Sequence, residues 1–353
     1  MTRDVRRLLG LVVVVAVGVT ALIVFWPRGK DEQEKQREPV AGLTGRSEPR
    51  PVVPEARDPE ASPPPGVSTK PVSTAPSAIS RTQALAAFEA GMRLYAIEEP
   101  SDAQVLQARA ELARAYASRK LDANRADEAR KALAHLADLT IFSVGRVYKG
   151  DPYVLQYIVK PGDRLDGKDG VIRRNNLRIP SQLVALINNI ERAEQIRAGQ
   201  RLKMVRGPFR AVVDKSDFAM DLFLHDVFVR RLRVCIGAPE TPTPEGYFRV
   251  TLGGKLTHAP YTPPVSSGKP QRSILPGEED YPLDAQGHWI SLTGIKEMGT
   301  DISKEEGYGI HGTNDPASIG KAASLGCVRL SDRDIRLVFA TLYEKWSTVE
   351  IRE

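Results

Sequence analysis

A mainly β C-terminal domain of sandwich or barrel type, preceded by a small βααβ unit and an α-helical N-terminal bundle, is the architecture the sequence predicts. Three observations point there. Apolar residues alternate with period two from Phe209 onward, serine caps open amphipathic segments between Ser80 and Thr140, and a proline-rich stretch separates both from an apolar N-terminal run. At 353 residues the chain exceeds one average domain, so several folded units joined by a linker are expected.

Leu8 to Trp26 is an almost unbroken apolar run of 19 residues behind Arg3, Arg6 and Arg7. That is long enough to cross a bilayer with its N-terminus inside, so residues 1–27 are expected to be a cytoplasmic N-terminus and transmembrane signal anchor. A cleaved signal peptide is the alternative, although no small-x-small pair follows the run before Pro27. On either reading the rest of the chain is exported, membrane-anchored in the cell envelope on the first. Residues 28–79 are expected to be a disordered tether, because 11 prolines between Pro27 and Ser77 lie among Glu, Arg, Ser and Ala with few large apolar residues.

In residues 80–142, Ser80-x-x-Gln83 and Ser101-x-x-Gln104 read as capping boxes. Leu85, Phe88, Met92 and Tyr95 form one apolar stripe, Val105, Ala108, Leu112 and Tyr116 a second, and Ala129, Leu133 and Leu136 a third, so three helices should pack as a bundle. Its alanine-rich pairs faintly resemble tetratricopeptide helices, but their spacing is near 40 rather than 34, which favours a spacer over a protein-partner surface. Residues 152–207 pair an alternating Tyr157–Val159 strand, a Pro161-Gly162-Asp163 turn, a helix holding Leu183, Leu186 and Ile187, and a strand after Gly199. In residues 209–353, Met220, Leu222 and Leu224, then Val227 and Val229, then Leu232, Val234 and Ile236 mark strands; the last set leaves Arg231, Arg233 and Cys235 on the opposite face. Trp289 to Leu292, Tyr308 to Ile310 and Val349 to Ile351 add more, and Ser331-x-x-Asp334 caps a helix turning Ile335, Val338, Phe339 and Leu342 inward. Tyr247, Trp289 and Tyr308 read as core residues rather than substrate-stacking ones.

A net charge of +6 fits nucleic acid, an anionic membrane or an anionic wall polymer. No basic strip interleaved with aromatics appears, which excludes nucleic acid. Five histidines and two cysteines show no paired-ligand spacing, so neither a metal nor another cofactor is expected. In an exported chain Cys235 and Cys327 would ordinarily form a disulfide; here the surroundings of Cys327 argue for a free thiol.

Those surroundings are the most informative part of the chain. His311 precedes Gly312, and 16 residues beyond His311 lies Cys327, inside Ser324-Leu325-Gly326-Cys327-Val328-Arg329. Taken singly, such a cysteine or histidine is commonly a packed core residue. Together in a glycine-rich loop they supply a nucleophile and its base. A free thiol of pKa about 8.5 is only roughly 3% ionised at pH 7, and a neighbouring imidazolium that lowers it to about 6.5 raises that to roughly 75%. Gly326 lets the chain bend so that the Cys327 amide can address an oxyanion, and Arg329 adds a fixed cation.

His-Gly, this gap, then Ser-x-Gly-Cys-Val-Arg-Leu resembles the signature of the YkuD-type L,D-transpeptidases. Thr241-Pro242-Thr243-Pro244-Glu245-Gly246-Tyr247-Phe248 is similar to the family's Thr-Pro-x-Gly-x-Phe turn, and His258-Ala259-Pro260-Tyr261-Thr262-Pro263-Pro264 to its Pro-aromatic-x-Pro-Pro loop. Leu325 departs from the second histidine of many members. The resemblance implies a transpeptidase that cross-links peptidoglycan stem peptides through a thioester on Cys327, with His311 moving the proton. The Gly312 carbonyl, or else Asp315, would orient the ring, Ser324 would bond within the pocket, and Arg329 would bind a stem carboxylate or brace the loop. A carboxypeptidase or amide hydrolase using the same site, and a non-catalytic wall-binding tether, are the alternatives. Tyr157 to Leu165, Ile187 to Ile190 and Ile196 to Leu202 resemble a LysM domain, apart from an insertion at Gly167 to Gly170, which implies that residues 152–207 bind wall glycan.

Overall fold

A computed structural model describes residues 79–257, 270, 272–275, 278–279, 287–303 and 306–353. The expected anchor, the proline-rich tether and the loop from His258 to Pro264 lie outside these residues. Against the expected transmembrane anchor, no helix among the described residues is long and apolar enough to cross a membrane. A span needs about 20 predominantly apolar residues, whereas the longest described helix has 16 and carries Asp102, Arg109, Glu111 and Arg114.

The described chain opens with α1 (Arg81–Tyr95), α2 (Asp102–Ala117) and α3 (Ala123–Ala137). Reciprocal capping boxes start the first two, and the Asp122 side chain caps the third. Phe88, Leu112 and Leu133 are buried between them, and Gly91 lets α1 approach Leu112 so closely that a Cβ would fall 2.6 Å from its Cγ. Arg109 crosses this interior to the segment beyond α3, donating to both carboxylate oxygens of Asp151 at 2.8 and 2.9 Å and to Thr140 Oγ1 at 2.7 Å.

Next come β1 (Val154–Ile158), α4 (Val171–Arg174), α5 (Ser181–Ile187) and β2 (Arg201–Val205), with the two strands paired antiparallel. Asp163 fixes the turn after β1, accepting from Tyr157 Oη at 2.7 Å and the Lys160 amide at 2.8 Å. Those bonds and the Arg174 guanidinium hold its carboxyl down at about 2, with Arg174 the largest cause. Of the apolar residues expected in this helix, Leu183 and Ile187 are buried along with Val184, while Leu186 is half exposed.

The remaining chain supplies β3 (Phe209–Asp214), β4 (Ala219–Leu224), β5 (Val227–Arg233), β6 (Ile236–Gly237), β7 (Gly246–Thr257), β8 (His288–Gly294), β9 (Gly309–Gly312), β10 (Ala322–Ser324), β11 (Val328–Leu330), α6 (Asp332–Thr341) and β12 (Thr348–Arg352). Among the described residues eight of these strands form one sheet in the order β11-β9-β8-β7-β12-β3-β4-β5, while β6 and β10 pair separately. The catalytic-type region is thus a β-rich, barrel-like fold. α6 packs across β8, β9 and β11, placing Ile335, Val338 and Phe339 against them.

Two expectations change here. Alternation in β4 implied one solvated face, yet all six of its residues are buried, because α2 and α3 lie against neighbouring β5. Asp221 is accommodated in that layer by Arg231, whose Nε and Nη2 donate at 2.6 and 2.8 Å. The strand through Leu232 and Ile236 is interrupted after Arg233, so Cys235 does not share an exposed face with the arginines. It is fully buried and bridges Arg329 instead.

Candidate active site

The sheet register assembles the site. Across β8, β9 and β11, Trp289 pairs with His311 and His311 with Arg329, and Arg329 in turn bridges Cys235 through backbone bonds of 2.9 Å in both directions. Laterally paired residues share a sheet face, so these side chains form one row.

His311 is buried, and its Nδ1 lies 2.7 Å from the Gly312 carbonyl oxygen. A carbonyl only accepts, so Nδ1 carries the proton, and Nε2 of the neutral ring keeps the lone pair that a base needs. Asp315, the other orienting candidate, caps the following turn by accepting from the Ala317 amide at 3.1 Å. Gly312 is tightly placed as well, since a Cβ there would sit 3.3 Å from Ile335 Cγ2 of α6.

Cys327 immediately precedes β11 and is partly exposed, its Sγ donating 3.7 Å to the Gly307 carbonyl. Cys235 and Cys327 are not joined in a disulfide. Gly326 holds φ at +114°, and a Cβ there would strike Tyr308 Cε1 at 2.9 Å, so the turn into the thiol requires glycine. Ser324 closes the loop: its Oγ donates to the Cys327 carbonyl at 2.6 Å and accepts from the Gly326 amide at 3.1 Å. Thr241 supports it from the Thr-Pro turn, donating from Oγ1 to the Ser324 carbonyl at 3.0 Å.

Three aromatic residues were expected in the core, and the structure places them differently. Trp289 lies flat on the His311 ring, centroids 5.0 Å apart and planes 20° apart. Tyr308 lies against Gly326, and its phenol is pushed up, first by burial and then by the nearby Glu306 and Cys327 charges. Tyr247 is 36% exposed. Neither Trp289 nor Thr241 stood out as a functional residue in the sequence; Thr241 lies in a recognised turn motif, whereas nothing local marks Trp289. Among the described residues no group of three or more His, Cys, Asp or Glu could hold a metal ion.

The family model of the YkuD L,D-transpeptidase catalytic domain matches residues 208–351. Residues 208–351 are thus similar to the L,D-transpeptidase catalytic domain. A Bacillus licheniformis protein named "Putative L,D-transpeptidase YkuD" is 28% identical over 204 residues, covering 56% of this chain and 99% of that protein. Bacillus subtilis "Putative L,D-transpeptidase YqjB" is 36% identical over 131 residues, covering 37% and 64% respectively. Among solved structures, an L,D-transpeptidase from Mycobacterium smegmatis is 17% identical, with 44% of this chain and 64% of that one covered at a TM-score of 0.33. The chain therefore spans a little under two thirds of that structure's length. The row formed by Trp289, His311, Arg329 and Cys235 lies wholly inside the matched segment.

Proposed function

We propose that this protein is a cysteine-dependent L,D-transpeptidase of the cell envelope that cross-links peptidoglycan stem peptides. The observation that carries the reading is the His311 Nδ1 to Gly312 bond, which leaves Nε2 as the basic atom on the strand beside the partly exposed Cys327 thiol. In the proposed reaction His311 Nε2 takes the Sγ proton and the thiolate attacks the carbonyl between the L-centre of a diamino acid and the terminal D-residue of a tetrapeptide stem. The C–N bond breaks, the departing D-residue takes the proton back, and a Cys327 thioester remains. The amine of a second stem attacks that thioester, giving its proton to His311 and freeing the thiolate. Gly326 and Ser324 shape the loop so that the Cys327 amide meets the oxyanion, and Arg329 adds positive charge in the row beside His311.

The Bacillus licheniformis relative aligns over 56% of this chain, more than residues 208–351 amount to, so the likeness runs upstream of the catalytic segment. The LysM-like assignment of the β1-α4-α5-β2 unit, and a glycan-binding role for it, rest instead on the Tyr157 to Leu165 and Ile196 to Leu202 pattern and on the antiparallel β1–β2 pair. Incubating the purified chain with wall-derived tetrapeptides and following products by mass spectrometry tests the reading. Cross-linked dimers and a thioester adduct on Cys327, both lost in Cys327→Ala, are expected. Tripeptide alone would make the protein a carboxypeptidase, and full activity in Cys327→Ala would remove the thiol from the chemistry.

A further inference from the structure

Trp289 is held on three sides. Its Nε1–H donates 2.8 Å to Ser291 Oγ, two residues along the same strand face. Beneath it, Gly309 leaves room that no side chain could share: a Cβ there would fall 2.8 Å from indole Cζ2 and 3.0 Å from Cε2. On its open face lies the His311 imidazole, nearly parallel at 5.0 Å. That is more constraint than filling space requires.

We propose that Trp289 is a positioning residue for His311, fixing the plane of the imidazole and stabilising it when protonated; this rests on the reading of His311 as the base for Cys327. The bond from Nδ1 to the Gly312 carbonyl tethers one atom of the ring but leaves its plane free to tilt about that contact. The indole face removes this freedom and holds Nε2 on one line of approach to the thiol. When the S–H bond breaks and Nε2–H forms, the ring becomes a cation against the negative face of a π system, an arrangement that favours the charged form.

The effect on ionisation is one-sided. Once the Sγ proton has passed to Nε2 the two groups form an ion pair, so at low pH they are thiol and imidazolium, at intermediate pH thiolate and imidazolium, and at high pH thiolate and imidazole. The first step keeps the imidazolium, so the indole leaves it almost unmoved; the second loses it, so the indole delays it. Titratable and charged groups on the elements packed against His311 are His288 of β8, Arg329 of β11 with Cys327 just before it, and Asp332, Arg333, Asp334 and Arg336 of α6. Tyr308 and Glu306 lie before β9 and Asp315 after it. None of these is altered by replacing Trp289, so a moved limb reports the stack.

The test uses the full chain and compares Trp289→Leu, Trp289→Phe and Ser291→Ala by the pH profile of kcat/KM for tetrapeptide turnover and by NMR titration of the His311 ring. Trp289→Leu is expected to lower kcat about 10-fold with KM little changed, and to bring the alkaline limb and the imidazolium midpoint down by roughly one pH unit, since a cation–π contact to a buried imidazole exceeds an exposed one. The acid limb should stay in place. Trp289→Phe should restore most of both effects, and Ser291→Ala, which frees the indole without removing it, should show a smaller shift in the same direction. Should Trp289→Leu fail to fold by circular dichroism, the other two variants still decide the matter. A uniform loss of rate with both limbs unmoved, or a Phe variant no better than Leu, overturns the proposal. A wild-type enzyme that forms no Cys327 thioester fails the functional reading instead, and the NMR midpoint still tests the stack.

Discussion

Replacing Gly326 by alanine tests the geometry that delivers the thiol. Two separate effects oppose the methyl group. At φ +114° an L-residue occupies a backbone region it rarely adopts, at a cost of about 1–3 kcal/mol. The added Cβ would also lie 2.9 Å from the Tyr308 ring edge, and overpacking of that kind adds about 1–3 kcal/mol. Urea denaturation should therefore show Gly326→Ala less stable by about 2–6 kcal/mol, and the iodoacetamide reaction rate of Cys327 should fall with it. Gly312→Ala is the control: it has no positive φ and its nearest neighbour is a methyl at 3.3 Å, so it should cost under about 1 kcal/mol. Adding Tyr308→Ala separates the two effects, since it relieves the ring contact and leaves the backbone strain, giving a coupling of about 1 kcal/mol or more in the double-mutant cycle. A Gly326→Ala protein no less stable than Gly312→Ala would refute the argument.

Three further outcomes are expected. The Arg109–Asp151 pair is almost wholly buried, so Asp151→Leu alone, which strands the guanidinium, should cost about 3–5 kcal/mol in urea, and Arg109→Leu with Asp151→Leu should cost less than that single change. Burial, outweighing its nearby carboxylates, holds the Lys255 amine down at about 8, and Lys203 likewise; between there and the ordinary lysine value of 10.5 the unfolded chain binds more protons, so stability should rise with pH across that window. Lys255→Met should remove about half of that rise in thermal melts. Iodoacetamide applied to the native protein should label the partly exposed Cys327 and leave the buried Cys235 untouched until unfolding, as peptide mapping would show; early labelling of Cys235 would contradict its placement under Arg329.

What the sequence determined alone is what depends on neighbours along the chain. The Ser-x-Gly-Cys-Val-Arg run and the His-Gly pair carry the resemblance to the L,D-transpeptidases, and the glycine that the left-handed turn at 326 requires stands directly before the thiol. The Gly312 carbonyl is adjacent to His311, so its candidacy as the ring's partner was legible from covalent connectivity. Period-two alternation likewise sufficed for a β-rich catalytic domain, because side-chain direction in a strand is a local property.

Tertiary structure decided everything that depends on which strand lies beside which. Asp221 reads as a solvated residue of an alternating strand and is buried because helices more than 80 residues upstream cover that layer. Cys235 was assigned to a face with Arg231 and Arg233, yet the strand breaks after Arg233 and its backbone pairs with Arg329. Trp289, His311 and Arg329 meet only through the registers of β8 with β9 and of β9 with β11. A slip of one residue in either would turn a member of that row to the opposite face, and no pattern within a single strand records how its neighbour is aligned.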